Sequence, residues 1–147
     1  MSIASIMSKK VIVTQEDATL ASLRNIFTQS KFQHVPVVNA MHQVIGIVSV
    51  KDFYKSLAPV IDSGSERTAE MFVQGRKVRS IMTTPVVTVR SDMSVIAAAS
   101  LLIDKNISCL VVVDEMSRIL GIVSWKDILR LIVQRHHVKR RREEEEE

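Results

Sequence analysis

A single cysteine, Cys109, occurs in 147 residues. No disulfide can close within the chain, and a reducing compartment, the cytoplasm, is expected. Four glycines and three prolines leave no Gly-x-Gly-x-x-Gly loop and no Walker loop to cradle phosphates. The four histidines, His34, His42, His136 and His137, form no His-Glu-x-x-His pair, and no second cysteine could join them at zinc-ligand spacing. No catalytic constellation is present, so an enzyme is not expected and neither is a catalytic cofactor. Aromatic residues make up only 4% against 46% apolar residues, so Val, Ile, Leu, Ala and Met must fill the core. The seven methionines are scattered, as gap-filling side chains are. No apolar run is long enough to cross a bilayer. Lys9 and Lys10 precede no apolar stretch of signal-peptide length, and Gln15, Glu16 and Asp17 follow, so no leader and no membrane contact are expected. Charge is nearly balanced at +4. The stretch 135–147 holds five basic and five acidic residues, so the excess is spread over the rest of the chain and a nucleic-acid partner is not expected.

What is present is written twice. At an offset of 75 residues the chain aligns with itself without a gap. "SIMSKKVIVT" meets "SIMTTPVVTV", "HVPVVNAMHQVIGIVSVKDF" meets "CLVVVDEMSRILGIVSWKDI", and Asp17 meets Asp92. A repeat of this kind decides the architecture before any single element does. Each copy opens with a β-branched run, Val11–Thr14 or Val86–Val89, which predicts a strand. A helix follows. In the first copy Leu20, Leu23 and Phe27 share a face, with Ile26 beside them; in the second, Ser94 is placed to cap "VIAAASLLI". Two strands come next, "HVPVV" and "QVIGIVS" around a turn at Asn39 and Ala40, then "CLVVVD" and "RILGIVS". A last helix begins just after Ser49 and Ser124. The pattern divides the chain into repeat 1 (1–58), a connector (59–79), repeat 2 (80–134) and a charged tail (135–147). The connector holds Pro59, a Ser-Gly-Ser at 63–65 and a short helix, "ERTAEMFVQ", stopped by Gly75.

Ser49-Val50-Lys51-Asp52 and Ser124-Trp125-Lys126-Asp127 sit where a strand hands over to a helix. Two readings fit. Serine at the N-cap with aspartate three residues on is a capping arrangement that requires no ligand. The same geometry offers free backbone N–H groups to an anion and a carboxylate to both hydroxyls of a ribose. Lys51 and Lys126 can add charge for a phosphate or remain solvated. Trp125 can shield a cleft or pack on a neighbour. Cys109, next to Ser108 and a Leu-Val run, reads as a buried inert thiol.

The doubled Gly-hydrophobic-hydrophobic-Ser-x-x-Asp, the "HVPVVN" and "CLVVVD" strands and the two "SIM" openings resemble a tandem CBS domain pair, or Bateman module, over about residues 3–133. The resemblance implies an α/β (α+β) fold of two β-α-β-β-α CBS repeats with pseudo-two-fold symmetry. It implies a non-catalytic sensor binding an adenosine compound, AMP, ADP, ATP or S-adenosylmethionine, in the cleft between the repeats. It assigns the ribose to Asp52 and Asp127, the phosphate neighbourhood to Ser49 and Ser124, and the adenine flank to Ile12 and Val87. Gln33 and His34 in copy one, and Ser108 and Cys109 in copy two, line the cleft at the start of the second strand. The usual "PVV" keeps its proline as Pro36, whereas copy two has Val111. Copy two also lacks the His or Arg that phosphate-binding members often carry, so the two sites are expected to differ. The alternative is an interaction module whose Ser-x-x-Asp motifs only cap helices. The repeats fill the chain, so signalling through a separate effector or through a homodimer is expected. The last helix points the same way, since Ile128, Leu129, Leu131, Ile132 and Val133 cover most of its circumference. The tail "RHHVKRRREEEEE" reads as a solvated extension of that helix.

Overall fold

The computed structural model describes residues 1–62 and 64–147; Ser63 of the Ser-Gly-Ser stretch lies outside them. Among the described residues, five strands and five α-helices follow in order: α1 Leu20–Gln29, β1 His34–Val38, β2 Val44–Ser49, α2 Val50–Ile61, α3 Glu66–Gly75, β3 Thr88–Arg90, α4 Val95–Lys105, β4 Cys109–Val113, β5 Ile119–Ser124 and α5 Trp125–Glu146. The mixed α/β class expected from the repeat is present, with one two-stranded sheet (β1-β2) and one three-stranded sheet (β3-β4-β5).

The expected helices start where their caps fall. Thr19 Oγ1 accepts from the Ser22 N–H and Ser94 Oγ from the Ala97 N–H, each satisfying a donor that has no partner within its helix. The apolar stripe of α1 is buried at Leu20, Leu23 and Phe27. At the β1-β2 turn, Asn39 Oδ1 accepts from the N–H groups of Met41 and Gln43, so one side chain supplies the turn's acceptor. His42 in this turn and Ser117, its equivalent between β4 and β5, both take positive φ.

Two expectations change. The run Val11–Thr14 is not a strand. Only Thr14 joins a ladder, through a parallel bridge to Val37. Its second-copy counterpart is shifted to Thr88–Arg90, where Val89 pairs with Val112, the equivalent of Thr14 with Val37. Branched side chains favour extended backbone, but a strand also needs contiguous ladder partners, and here they are few. In addition, α2 runs through Pro59 to Ile61.

The chain forms two compact units, and they do not follow the repeat boundaries. One comprises Lys10–Val87 with Glu115–Ile119; the other comprises Met1–Lys9, Thr88–Asp114 and Leu120–Glu147. The first unit buries Leu20, Leu23, Phe27, Val35, Val37, Val48, Phe53, Val73 and Val78 together. The second buries Ile3, Leu110, Val111, Val112 and Val123 almost completely. Each "SIM" opening therefore lies with the strands of the other copy. Ser8 bridges Ile122, and Thr83 bridges Ile47. The repeated glycine explains itself here. A Cβ at Gly46 would come 2.6 Å from Met82 Sδ, and one at Gly121 would come 2.7 Å from the Ser8 carbonyl oxygen and 3.0 Å from Met7 Sδ. Each opening methionine lies against the glycine of the other copy's Gly-Ile-Val-Ser.

Candidate functional site

Each copy builds its junction from a strand end and a helix start. In the first unit, Ser49 ends β2 in extended backbone and caps α2. Its Oγ accepts from the Asp52 N–H at 3.0 Å, while Asp52 Oδ2 accepts from the Ser49 N–H at 3.3 Å. This reciprocal pair is a capping box. His34 lies opposite Ser49 in the β1-β2 register, and the Gln33 carbonyl accepts from the Val50 N–H at 2.9 Å. Gln33, His34, Ser49 and Asp52 thus come together. Lys51 is exposed in the first turn of α2. Ile12 belongs to the same unit and is partly open to solvent. Pro36 pairs with Ile47 further along the strand and is buried. Among the described residues, Asp52 Oδ1 accepts no hydrogen bond. A helix N-terminus stabilises that carboxylate, and its open lone pairs suit a donor from outside, such as a hydroxyl.

The second unit repeats the box with a difference. Asp127 Oδ2 accepts from the Ser124 N–H at 2.8 Å and from Ser124 Oγ at 3.1 Å, and the Asp127 N–H donates to Ser124 Oγ at 3.4 Å. Its other oxygen is taken as well: Arg130 Nη1 donates to Asp127 Oδ1 at 3.2 Å. Position 55, the counterpart of Arg130, is lysine. The Ser108 carbonyl accepts from the Trp125 N–H at 3.2 Å, as Gln33 does in the first copy. The Lys126 ammonium stands 5.8 Å from the centre of the Trp125 ring, within cation–π range. Cys109 is buried and burial pushes its thiol up to about 12, so it stays protonated and unreactive at neutral pH. Val87 lies in the unit of the first junction, not with Ser124 and Asp127.

Sequence reasoning missed part of this neighbourhood. Ser5 and Ile6 of the opening segment, with Asp127, Arg130, Leu131 and Gln134, line a cavity of about 200 Å³. The Asp-x-x-Arg spacing was readable as an i,i+3 pair. The contribution of Ser5 and Ile6 was not, because their place depends on the exchange of opening segments. Among the described residues no group of three or more His, Cys, Asp or Glu side chains could hold a metal ion, and no helix is long and apolar enough to cross a membrane.

His34 gives the first junction a titrating group. Burial lowers its pKa from the usual value near 6.5, and the Asp52 carboxylate partly opposes that shift. The folded state thus prefers neutral imidazole. Its contribution to stability is fully present above the unfolded value and is lost as pH falls below it. Denaturant midpoints measured from pH 7.5 to 5 are expected to fall, with the His34→Gln variant falling less. Equal slopes for both proteins would remove His34 as the source.

The CBS domain family model matches residues 3–62 and again 78–134. The chain belongs to the CBS domain family. This CBS pair is similar over 92% of its length to the CBS domain pair of protein MJ0100 in complex with 5′-methylthioadenosine and S-adenosyl-L-methionine. That match has 27% identity and a TM-score of 0.77, and it covers 98% of that chain. A putative acetoin utilization protein (AcuB) from Vibrio cholerae shares the fold at TM-score 0.80 with 19% identity, over 95% of this chain and 97% of that one. Among curated relatives, homoserine O-acetyltransferase of Methanococcoides burtonii is 33% identical over 131 residues. The match takes in 89% of this CBS pair but spans only 24% of that protein. Uncharacterized protein MJ1426 of Methanocaldococcus jannaschii is 30% identical, over 85% of this chain and 88% of its own length. CBS pairs are generally regulatory modules, and the share of the acetyltransferase matched fits a module within a larger chain.

Proposed function

We propose that this CBS pair is a non-catalytic, cytoplasmic regulatory module that binds an adenosine-containing ligand, AMP, ADP, ATP or S-adenosylmethionine, at its Ser-x-x-Asp junctions. The observation that carries this reading is the open Oδ1 of Asp52 beside a helix N-terminus, in a chain similar to a pair solved with two adenosine compounds. Asp52 accepts the ribose hydroxyls, Ser49 and Lys51 lie toward the phosphate or its replacement, and His34 and Gln33 line the approach. Ile12 and Val87 flank the adenine. Ser108, Cys109, Ser124, Lys126 and Asp127 form the weaker second set.

The ligand's effect passes to a separate effector or through a homodimer. The dimer is supported by the outward faces of the second unit's helices. Ile96 and Ile103 on α4 are each 78% exposed, and Leu129, Ile132 and Val133 on α5 are also exposed, and grouped exposed apolar side chains mark interaction surfaces. A second reading, an interaction module with vestigial sites, is favoured at the second junction alone, where both Asp127 oxygens are already engaged.

Thermal melting with a panel of adenosine compounds tests the function. A ligand at 100 times its dissociation constant adds about 2.7 kcal/mol, a rise of roughly 5–10 °C for a chain of this size. No shift with any of the four compounds at millimolar concentration would leave only the interaction module.

A further inference from the structure

The C-terminal third of α5 carries charge that a solitary helix does not favour. Four cations, Lys139, Arg140, Arg141 and Arg142, precede five glutamates, Glu143–Glu147, and the helix continues to Glu146. Every residue from 132 onward is exposed. The negative end of the helix dipole falls on the glutamates, whereas cations are what that end stabilises. The i,i+4 pairs also run in the weaker order, with the base N-terminal to the acid. Among the described residues, no side chain from 139 to 147 takes part in an ion pair.

One face of this stretch is a groove. Leu131, Gln134, Arg135, Val138, Lys139 and Arg142, together with Met1, line a cavity of about 400 Å³, and Arg135 Nη2 approaches Met1 Sδ at 3.5 Å. The helical spacing continues that face from Lys139 and Arg142 to Glu143 and Glu146. The face is therefore basic for two turns and acidic for the next.

We propose that the end of α5 is a self-recognition clasp, in which the Lys139–Arg142 block of one copy docks antiparallel against the Glu143–Glu146 block of a second copy. A two-fold axis between residues 142 and 143 sets Arg142 against Glu143 of the partner, Arg141 against its Glu144, Arg140 against its Glu145 and Lys139 against its Glu146. Symmetry repeats every pair. Lys139 and Arg142, the groove-face cations, meet Glu146 and Glu143, the acids on the same face. A parallel partner would set like charge on like. The antiparallel partner also brings cations to the helix end that lacks them. A polyanion would neutralise only the basic half and would be repelled by the glutamates. The clasp takes from the homodimer reading only that the chain self-associates; with the axis between residues 142 and 143, Leu129, Ile132 and Val133 of the two copies do not meet in it, and it adds an orientation and a dependence on salt.

Sedimentation of the full chain at micromolar concentration, from 50 to 500 mM NaCl, tests it. Self-association is expected to weaken at least tenfold across that range as the Debye length shrinks. The block variant K139E/R140E/R141E/R142E and the block variant E143K/E144K/E145K/E146K are each expected to weaken it at least tenfold at 50 mM NaCl. Their melting curves check that the exposed changes leave folding intact. The variant carrying both blocks is expected to pair with itself as the parent does, and to reject the parent. If the double-block variant mixes freely with the parent, the helices run parallel and the clasp is wrong. Block variants that associate as tightly as the parent at every salt overturn the clasp and leave a dimer held elsewhere. A parent that is monomeric at 50 mM NaCl overturns the dimer and the clasp together, and retention of that monomer on duplex DNA would assign the basic block to a polyanion.

Discussion

Replacing Phe53 by alanine is expected to cost about 3–5 kcal/mol of folding stability, the range for a large aromatic removed from a packed core. Phe53 is 1% exposed. Its ring centre lies 5.8 Å from that of Phe27 and 5.3 Å from that of Tyr54, and it joins α2 to the cluster of Leu20, Leu23, Val35 and Val48. It also follows Asp52 directly, so the packing that holds Phe53 fixes the first turn of α2 and the carboxylate on it. Urea denaturation of Phe53→Ala measures the loss. A change below about 1 kcal/mol would mean that the first unit closes over the gap, and Asp52 would then be positioned by its capping box alone.

Asp52→Ala is expected to raise the dissociation constant for an adenosine compound by roughly 10- to 150-fold. A hydrogen bond to a charged group contributes about 1.5–3 kcal/mol, and each 1.4 kcal/mol is a factor of ten. Its effect on folding is smaller, about 0.3–1 kcal/mol for an acid at a helix start. Asp127→Ala is expected to change affinity less, since Arg130 and Ser124 already occupy its oxygens. Titration calorimetry on both variants separates binding from capping. Unchanged affinity in Asp52→Ala, with only a lower melting temperature, would reduce the motif to a cap. A larger loss in Asp127→Ala would move the working site to the second copy.

Local chemistry was legible and long-range pairing was not. The stripe of Leu20, Leu23 and Phe27 and the caps Ser94, Ser49 and Ser124 follow from periodicity and from donors at helix starts, which neighbouring residues decide. The extension of α5 into the tail follows in the same way. The β-branched run Val11–Thr14 gave the wrong expectation because strand formation depends on a partner far along the chain. The exchange of openings was hidden for the same reason. Both "SIM" and Gly-Ile-Val-Ser are plainly repeated, but nothing in either says that Met7 meets Gly121 while Met82 meets Gly46. At the site, Asp127 and Arg130 were within reach of a spacing argument. The capping motif drew attention to what the two copies share, and Lys55 against Arg130 is a place where they differ.

The exchanged openings also set a timetable for synthesis. Ser8 must wait for Ile122, and Ile3 for Met93, whose carbonyl accepts from its N–H. Residues 1–9 thus stay unclaimed until their partners at Ser91, Met93, Ser94 and Ile122 have been made. The other unit needs nothing beyond Ile119 and can condense while α5 is still being translated. Contacts between the ends of a chain are slow to form because so much of it must be ordered before they contribute. In the interval Met1, Ile3, Ile6 and Met7 are a free apolar thread. Damage to residues 1–9 would therefore be felt in the unit built from Thr88–Asp114 and Leu120–Glu147.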